Sequence, residues 1–449
     1  MTTKSTTHTT ATSGRDAVIV DTVRTPRGRG RPLGASKPGA YAALHPQELA
    51  AHVLLAIVGR NALPPDDLDD VILGCVTQVD DQSANIARHA VLAAGLPVSV
   101  SGTTVTRACG SGLQALSYAI MGVMTGAQNV VIAGGVESMS RVPMGSDSRV
   151  TRGVSDRSGV GDGGNAQLRA RFRQVPQGIS ADVIATLDRI GRDEIDAFAL
   201  ASQRNAATAI AEGHFARSLV PVCDRSSGTI ILDRDECPRP TTAEGLASLP
   251  PSFAALGETL DDVALTQLRA TAARGRLAEN DRMAFAAQFA SGVTHVHTAG
   301  NSSGIADGAA ALLVTSAAYA SAHGLVARAR VHAMVTVGSD PILMLTGPTP
   351  ASRKALASAG MRVDDIDLWE INEAFGVVPL KTIRDLEIDP SRVNVNGGSI
   401  ALGHPLGATG AILVGTALDE LERRGLATAL VTLCTAGGQG VATIIERVG

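Results

Sequence analysis

Two cysteines and one histidine in this chain sit in glycine-rich backbone, where a reactive side chain has room to meet a substrate. Cys109 lies in Thr106-Arg-Ala-Cys-Gly-Ser-Gly112. His404 lies in Asn394-Val-Asn-Gly-Gly-Ser-Ile-Ala-Leu-Gly-His-Pro-Leu-Gly-Ala-Thr-Gly410, and Cys434 in Leu433-Cys-Thr-Ala-Gly-Gly-Gln-Gly440. Together they are the parts of a thiol nucleophile with its own acid–base partners.

Each has a local setting that bears on that chemistry. Cys109 follows the strand-like Thr103-Thr-Val-Thr106 and precedes a helical run. That puts it at a helix N-terminus, where thiolate is stabilised, on a tight turn attributed to Gly110 and Gly112. The ordinary alternative is a small buried core cysteine. His404, between Gly403 and Pro405, is placed as the base that takes the Cys109 proton, the alternative being a turn histidine bonded to backbone. Cys434 ends a buried-strand pattern beside Ala436, Gly437 and Gly438, so a thiol there has space to exchange a proton with a substrate carbon. Asn372, in Asn372-Glu-Ala-Phe-Gly376, ends another strand pattern and is either a turn residue or an amide aimed at an oxyanion. The glycines around His404 invite a phosphate-loop reading, but no Gly-Lys-[Ser/Thr] follows and the dinucleotide spacing is absent.

The elements that position these residues are legible more coarsely. At 449 residues, 45% hydrophobic, the chain is too long for one simple core. Aromatics make up only 2% while glycines number 48, so the core is aliphatic and alanine-rich. The net charge is −4, with no clustered basic face, which argues against nucleic acid. Five cysteines at scattered spacing, with no Cys-x-x-Cys, argue for a reducing compartment without a disulfide framework or structural zinc. The absence of a long apolar run predicts no membrane span, and residues 1–16 read as a threonine-rich disordered extension.

The chain also repeats itself. Pro65-Asp-Asp-Leu-Asp-Asp-Val-Ile-Leu-Gly74 echoes Val363-Asp-Asp-Ile-Asp-Leu-Trp-Glu-Ile-Asn372, an offset of 298 residues (363 − 65). Asn129-Val-Val-Ile-Ala-Gly-Gly135 is answered by Ala429-Leu-Val-Thr-Leu-Cys-Thr-Ala-Gly-Gly438. Short β-branched runs such as 17–20 alternate with helical patterns such as 46–60 and 113–125, which predicts two α/β halves with mostly parallel strands. Between them, a helix is predicted within 191–213, a hairpin over 220–233 around Ser226-Ser-Gly228, and a helix over 259–280.

The four segments, in this order, resemble those of the thiolases, from about residue 17 to the last residue. The resemblance implies an α/β thiolase fold: two similar halves packed in layers, residues 17–138 plus 306–326 and 327–449, with an inserted loop domain at 139–305 that binds CoA. It implies an acyltransferase that reversibly cleaves 3-ketoacyl-CoA, or condenses acetyl-CoA in the Claisen direction. Cys109 is then the acylated nucleophile, His404 its activator and Cys434 the acid or base for the α-proton. Asn372 fixes a water that, with His404, makes one oxyanion hole; the backbone N–H groups of Cys109 and Ala436 make the other. Ser303 matches a serine on the pantetheine arm, Phe375 and Gln177 border the substrate, and Arg239 is favoured for the ADP phosphates among arginines 149, 152, 157, 169, 171, 173 and 239. No cofactor or metal is expected, since CoA thioesters are the substrates. A cytoplasmic homodimer or homotetramer is expected. A ketoacyl synthase of the same fold would normally have histidine where Cys434 stands, and a non-catalytic acyl-CoA-binding subunit should have lost one of the three reactive residues.

Three departures from the common pattern stand out. Ala436 replaces a usual glycine, so its N–H can serve only if alanine tolerates the conformation. Gln177 stands where acetoacetyl-CoA-type members tend to have methionine. Residues 254–297 form an insertion, either shaping the acyl pocket or covering a subunit surface. It contains His295-Val-His297, read as two polar side chains on one strand face, with a shared metal as the alternative.

Overall fold

The computed structural model describes residues 16–147, 165–172, 174–271 and 292–448. The extension before Asp16, arginines 149, 152, 157 and 173, and residues 272–291 of the insertion lie outside them.

The repeat in the sequence is a repeat in space. In the first half the strands run in the order Ala17–Arg24, Ala306–Ser316, Val130–Glu137, Asp70–Gly74, Ser101–Val105. In the second the order is Ala329–Gly338, Gln439–Arg447, Thr428–Thr435, Leu368–Ile371. Both halves have the same senses: Asp70–Gly74 is parallel to Val130–Glu137 as Leu368–Ile371 is to Thr428–Thr435, and the next two pairings are antiparallel in each. The offset between Val130 and Thr428 is again 298 (428 − 130). The halves join where Val18 and Ile19 pair with Arg330 and Ala329.

Strand periodicity explains why a central strand such as Val130–Glu137 is buried throughout. Val130 and Ile132 face one buried cluster, while Val131 and Ala133 face another. Both faces are covered, as expected of strands in a layered α/β fold. The outer faces are covered by helices such as Pro46–Arg60 and Pro348–Ala359. Between the halves lie two helices in contact, Ser111–Met124 and Leu406–Arg424. The second is buried on all sides from Leu406 to Leu421. That depth requires small residues at the crossings: a Cβ on Gly407 would lie 2.6 Å from the Gly74 carbonyl oxygen, and one on Gly112 2.7 Å from that of Gly407. This close approach uses the glycine content that the sparse aromatics left as the means of packing.

The intervening region forms helices at Gln177–Leu187 and Arg192–Ala211 and the two-stranded hairpin Val222–Cys223 with Ile230–Leu232. The helix of the insertion runs Ala254–Thr271, starting five residues before the predicted 259. Leu260, Leu265 and Leu268 pack with Val175, Ile179 and Val183. Two expectations fail: the strands are not mostly parallel, most pairings of the large sheet being antiparallel, and His295 and His297 are not on a strand. They lie in irregular backbone, and both turn toward the buried Asp182 carboxylate. Among the described residues, no cluster of three or more ligating side chains suits a metal, and no helix is long and apolar enough to cross a membrane.

Candidate active site

Cys109 and His404 occupy matching places in the two halves, each just ahead of one of the paired central helices. The turn before Cys109 is not made by its glycines. The left-handed residue is Ala108, at φ 44°, whereas Gly110 has φ −87°. Gly110 is instead a close-contact residue, since a Cβ there would lie 2.8 Å from the Thr435 methyl. A non-glycine residue in that region stores about 1–3 kcal/mol of strain and persists only when its surroundings impose it. Here Ser111 does so: its hydroxyl accepts the Arg107 N–H at 2.8 Å and donates to the Ala108 carbonyl at 2.6 Å. Arg107 in turn bonds Gln439 at 2.8 Å, tying the Cys109 turn to the hairpin that carries Cys434.

The Cys109 thiol is pushed up to about 12, by burial first and by the nearby Glu137 carboxylate. Its own N–H and the side chain of Gln177, which lies within hydrogen-bond reach, work the other way. Cys434 is also raised, by burial and then by the neighbouring Cys109 sulfur. The two thiols are close enough that one negative charge opposes a second. Glu137 has no solvent exposure, and its carboxylate accepts N–H groups of Val76, Thr77 and Gly407, clamping the start of the His404 helix to the first half.

Both ring nitrogens of His404 have side-chain partners. Asn372 Nδ2 faces His404 Nε2 at 3.4 Å. On its other side Asn372 Oδ1 accepts the Ser399 hydroxyl at 2.6 Å. With the amide assigned this way round, Nε2 accepts from Nδ2 and Nδ1 carries the proton, given to Thr409 Oγ1 at 2.7 Å. His404 is lowered to about 3, by burial and then by the charge of Arg27. Arg27, itself buried, donates to the Gly403 carbonyl at 2.9 Å and is lowered to about 10, chiefly by burial. The resting pair is therefore a neutral thiol and a neutral imidazole whose Nε2 faces the Asn372 amide. Charge separation is costly in this dry site until a substrate oxygen develops compensating charge.

The remaining predicted residues fall at different ranges. The Ser303 N–H donates to the Ala374 carbonyl at 3.0 Å, beside Phe375, and His404 N–H donates to Gly304 at 2.8 Å. Ser303, Phe375 and His404 thus converge on one rim. Cys434, Phe375, Ala374 and Met344 share a buried cluster. Ala436 begins the turn whose left-handed positions are Gly437 and Gly438, at φ 82° and 78°. Ala436 itself avoids that region, so alanine is accommodated. Arg239 is exposed, with its guanidinium 3.4 Å from the Ala299 carbonyl, outside the Cys109–His404 group. Sequence reasoning did not single out Thr409, Ser399, Glu137 or Arg27. The first two stand in the same glycine-rich segment as His404, at spacings whose meaning only the folded loop supplies.

Comparison with known proteins agrees with this geometry. Residues 17–262 match the family model for the thiolase N-terminal domain, and 325–447 that for the thiolase C-terminal domain. The chain is 38% identical to a 3-ketoacyl-CoA thiolase of Aliivibrio fischeri, over 96% of this chain and 100% of the relative. It is 40% identical to a beta-ketoadipyl-CoA thiolase of Escherichia coli, over 97% and 100%. The crystal structure of the Bacillus anthracis acetyl-CoA acetyltransferase superposes with a TM-score of 0.77 at 35% identity, covering 96% of this chain and 99% of that one. A cysteine turn and a histidine turn at equivalent ends of a duplicated α/β fold, with a second thiol near the first, accord with these matches: the chain belongs to the thiolase family of acyltransferases.

Proposed function

We propose that this thiolase cleaves 3-ketoacyl-CoA to acetyl-CoA and a shortened acyl-CoA, and runs the Claisen condensation in reverse, through an acyl-enzyme on Cys109. The observation that carries the reading is the buried setting of His404, whose Nε2 lies 3.4 Å from the Asn372 amide and whose Nδ1 lies 2.7 Å from Thr409 Oγ1. His404 takes the thiol proton as Cys109 sulfur attacks the keto carbon. The carbonyl oxygen is received by the N–H groups of Cys109 and Ala436. The C–C bond breaks, and the acetyl-CoA enolate is held by His404 and a water on Asn372 until Cys434 delivers its proton to the α-carbon. Free CoA then takes the acyl group from Cys109. Nucleophile, base and acid are all side chains of the protein, so the reading needs no metal or redox cofactor.

The same reading gives the 139–305 region the CoA site, with Ser303 on the pantetheine arm, Arg239 toward the phosphates and Gln177 and Phe375 beside the acyl group. Five free cysteines fit a reducing, cytoplasmic setting. A homodimer is supported by the edge strand Ser101–Val105, which is incompletely covered, and by Tyr118, Met121 and Met124, exposed at three-residue spacing on the adjoining helix. Incubation with acetoacetyl-CoA and intact-mass measurement should reveal an acyl adduct on the wild type and none on Cys109→Ala. An adduct that survives in the variant refutes the assignment.

A further inference from the structure

The inserted helix is tied to the rest of the molecule through one buried carboxylate. Asp182 has no solvent exposure and lies on the helix Gln177–Leu187. Its Oδ1 accepts the N–H groups of Val296 at 3.0 Å and His297 at 3.1 Å and faces His297 Nδ1 at 2.7 Å. Its Oδ2 faces His295 Nδ1 at 2.7 Å. The other nitrogen of His295 faces Asp261 Oδ2, on the inserted helix, at 3.0 Å. An imidazole with a carboxylate at each nitrogen donates to both only when protonated. Partial burial opposes that charge, but Asp182 and then Asp261 outweigh it and raise the His295 pKa.

The helix bearing Asp182 lies between the insertion and the reactive thiols. Ile179 and Val183 pack with Leu260, Ala264 and Leu265 of the insertion. Ala181, Ile184 and Ala185 join Phe375, Met344 and Cys434. At the helix start, Gln177 reaches the Cys109 thiol, and a Cβ on Gly178 would lie 2.3 Å from the Phe253 ring. Phe253, immediately before the inserted helix, packs edge-on to Phe375 at 5.9 Å, and His297 does so at 5.5 Å.

We propose that His295 is a positioning residue: by clasping the inserted helix to the helix Gln177–Leu187 through Asp261 and Asp182, it sets the wall formed by Gln177, Phe253, Phe375 and Met344 and so selects acyl-chain length. This rests on the thiolase reading of the site. The clasp is complete while His295 holds its proton and loses one of its two N–H donors as pH rises through the elevated pKa, with Asp182, Asp261, Asp262 and His297 as the ionisable groups around it.

The test compares kcat/KM for acetoacetyl-, 3-ketooctanoyl- and 3-ketododecanoyl-CoA in wild type, His295→Gln and Asp261→Asn between about pH 6 and about pH 9, the range in which a raised histidine titrates. The expected result is a long-to-short ratio shifted by about tenfold in His295→Gln, the scale on which a pocket discriminates one methylene. The ratio should vary with pH in the wild type and stay flat in the variant, which a merely structural loss would not produce. Asp261→Asn leaves the contacts of Asp182 intact and gives the same readout if His295→Gln fails to fold. An unchanged ratio with normal Cys109 acylation overturns the clasp. Absence of Cys109 acylation in the wild type overturns both the clasp and the thiolase reading.

Discussion

Thr409→Val tests the assignment of His404 as base at an atom that no substrate touches. Thr409 is buried, and its hydroxyl is the acceptor for His404 Nδ1–H at 2.7 Å. Valine keeps the shape and removes the acceptor. A buried donor left without a partner costs about 1–3 kcal/mol. That cost falls on the one tautomer that presents a lone pair to the thiol. With Asn372 oriented as assigned, the other tautomer would set its Nε2–H against the amide donor. If the whole cost appears in the acylation step, the rate falls by about 5- to 150-fold, at 1.4 kcal/mol per factor of ten. Rapid-quench mass spectrometry of the Cys109 acyl-enzyme measures that step directly. Thr409→Ser restores the acceptor and should recover most of the rate. A folded Thr409→Val enzyme that acylates at the wild-type rate refutes the tautomer argument.

Three further outcomes follow from the geometry. Cys434→Ala should still take an acyl group from a simple acyl-CoA but lose carbon–carbon bond formation by about 10²–10⁴-fold, the usual weight of a positioned acid or base; equal loss of both half-reactions, measured separately, argues for a structural thiol. His404 is depressed to about 3 in the folded chain, so the unfolded chain binds its proton first as pH falls below the ordinary histidine value near 6.5. Stability is then full above that value and declines below it, by about 2 kcal/mol at about pH 5, and His404→Asn should abolish that part of the decline in urea titrations; an identical decline in both proteins contradicts the assigned shift. Ala108→Gly should remain within about 1 kcal/mol of wild type, because glycine accepts the left-handed turn at some entropic cost, whereas Ala108→Val should destabilise the turn and slow acylation; a fully active valine variant contradicts the strain.

The amino-acid sequence by itself determined the duplicated α/β plan and the membership of the thiolase family. Buried strands and helices carry their periodicity locally, so Pro46–Arg60 emerged with the predicted ends and the hairpin around Ser226-Ser-Gly228 formed as expected. The repeat at 298 residues was legible because both copies keep the same turn and strand at Pro65–Gly74 and Val363–Asn372. What depended on contacts between distant segments was not legible. The strain at the nucleophile turn belongs to Ala108, although its glycine neighbours were the obvious suspects, because Gly110 and Gly112 are used for contacts with Thr435 and Gly407 from the other half. His295 and His297 had the spacing of a strand face, but Asp182, more than 110 residues earlier, recruits both nitrogen-bearing rings and holds the backbone irregular. The partners of the His404 ring, Asn372 and Thr409, with Ser399 behind Asn372, likewise meet only in the folded chain. Periodicity and turn chemistry are written along the chain, whereas hydrogen-bond direction, burial and charge come from neighbours that only the tertiary structure supplies.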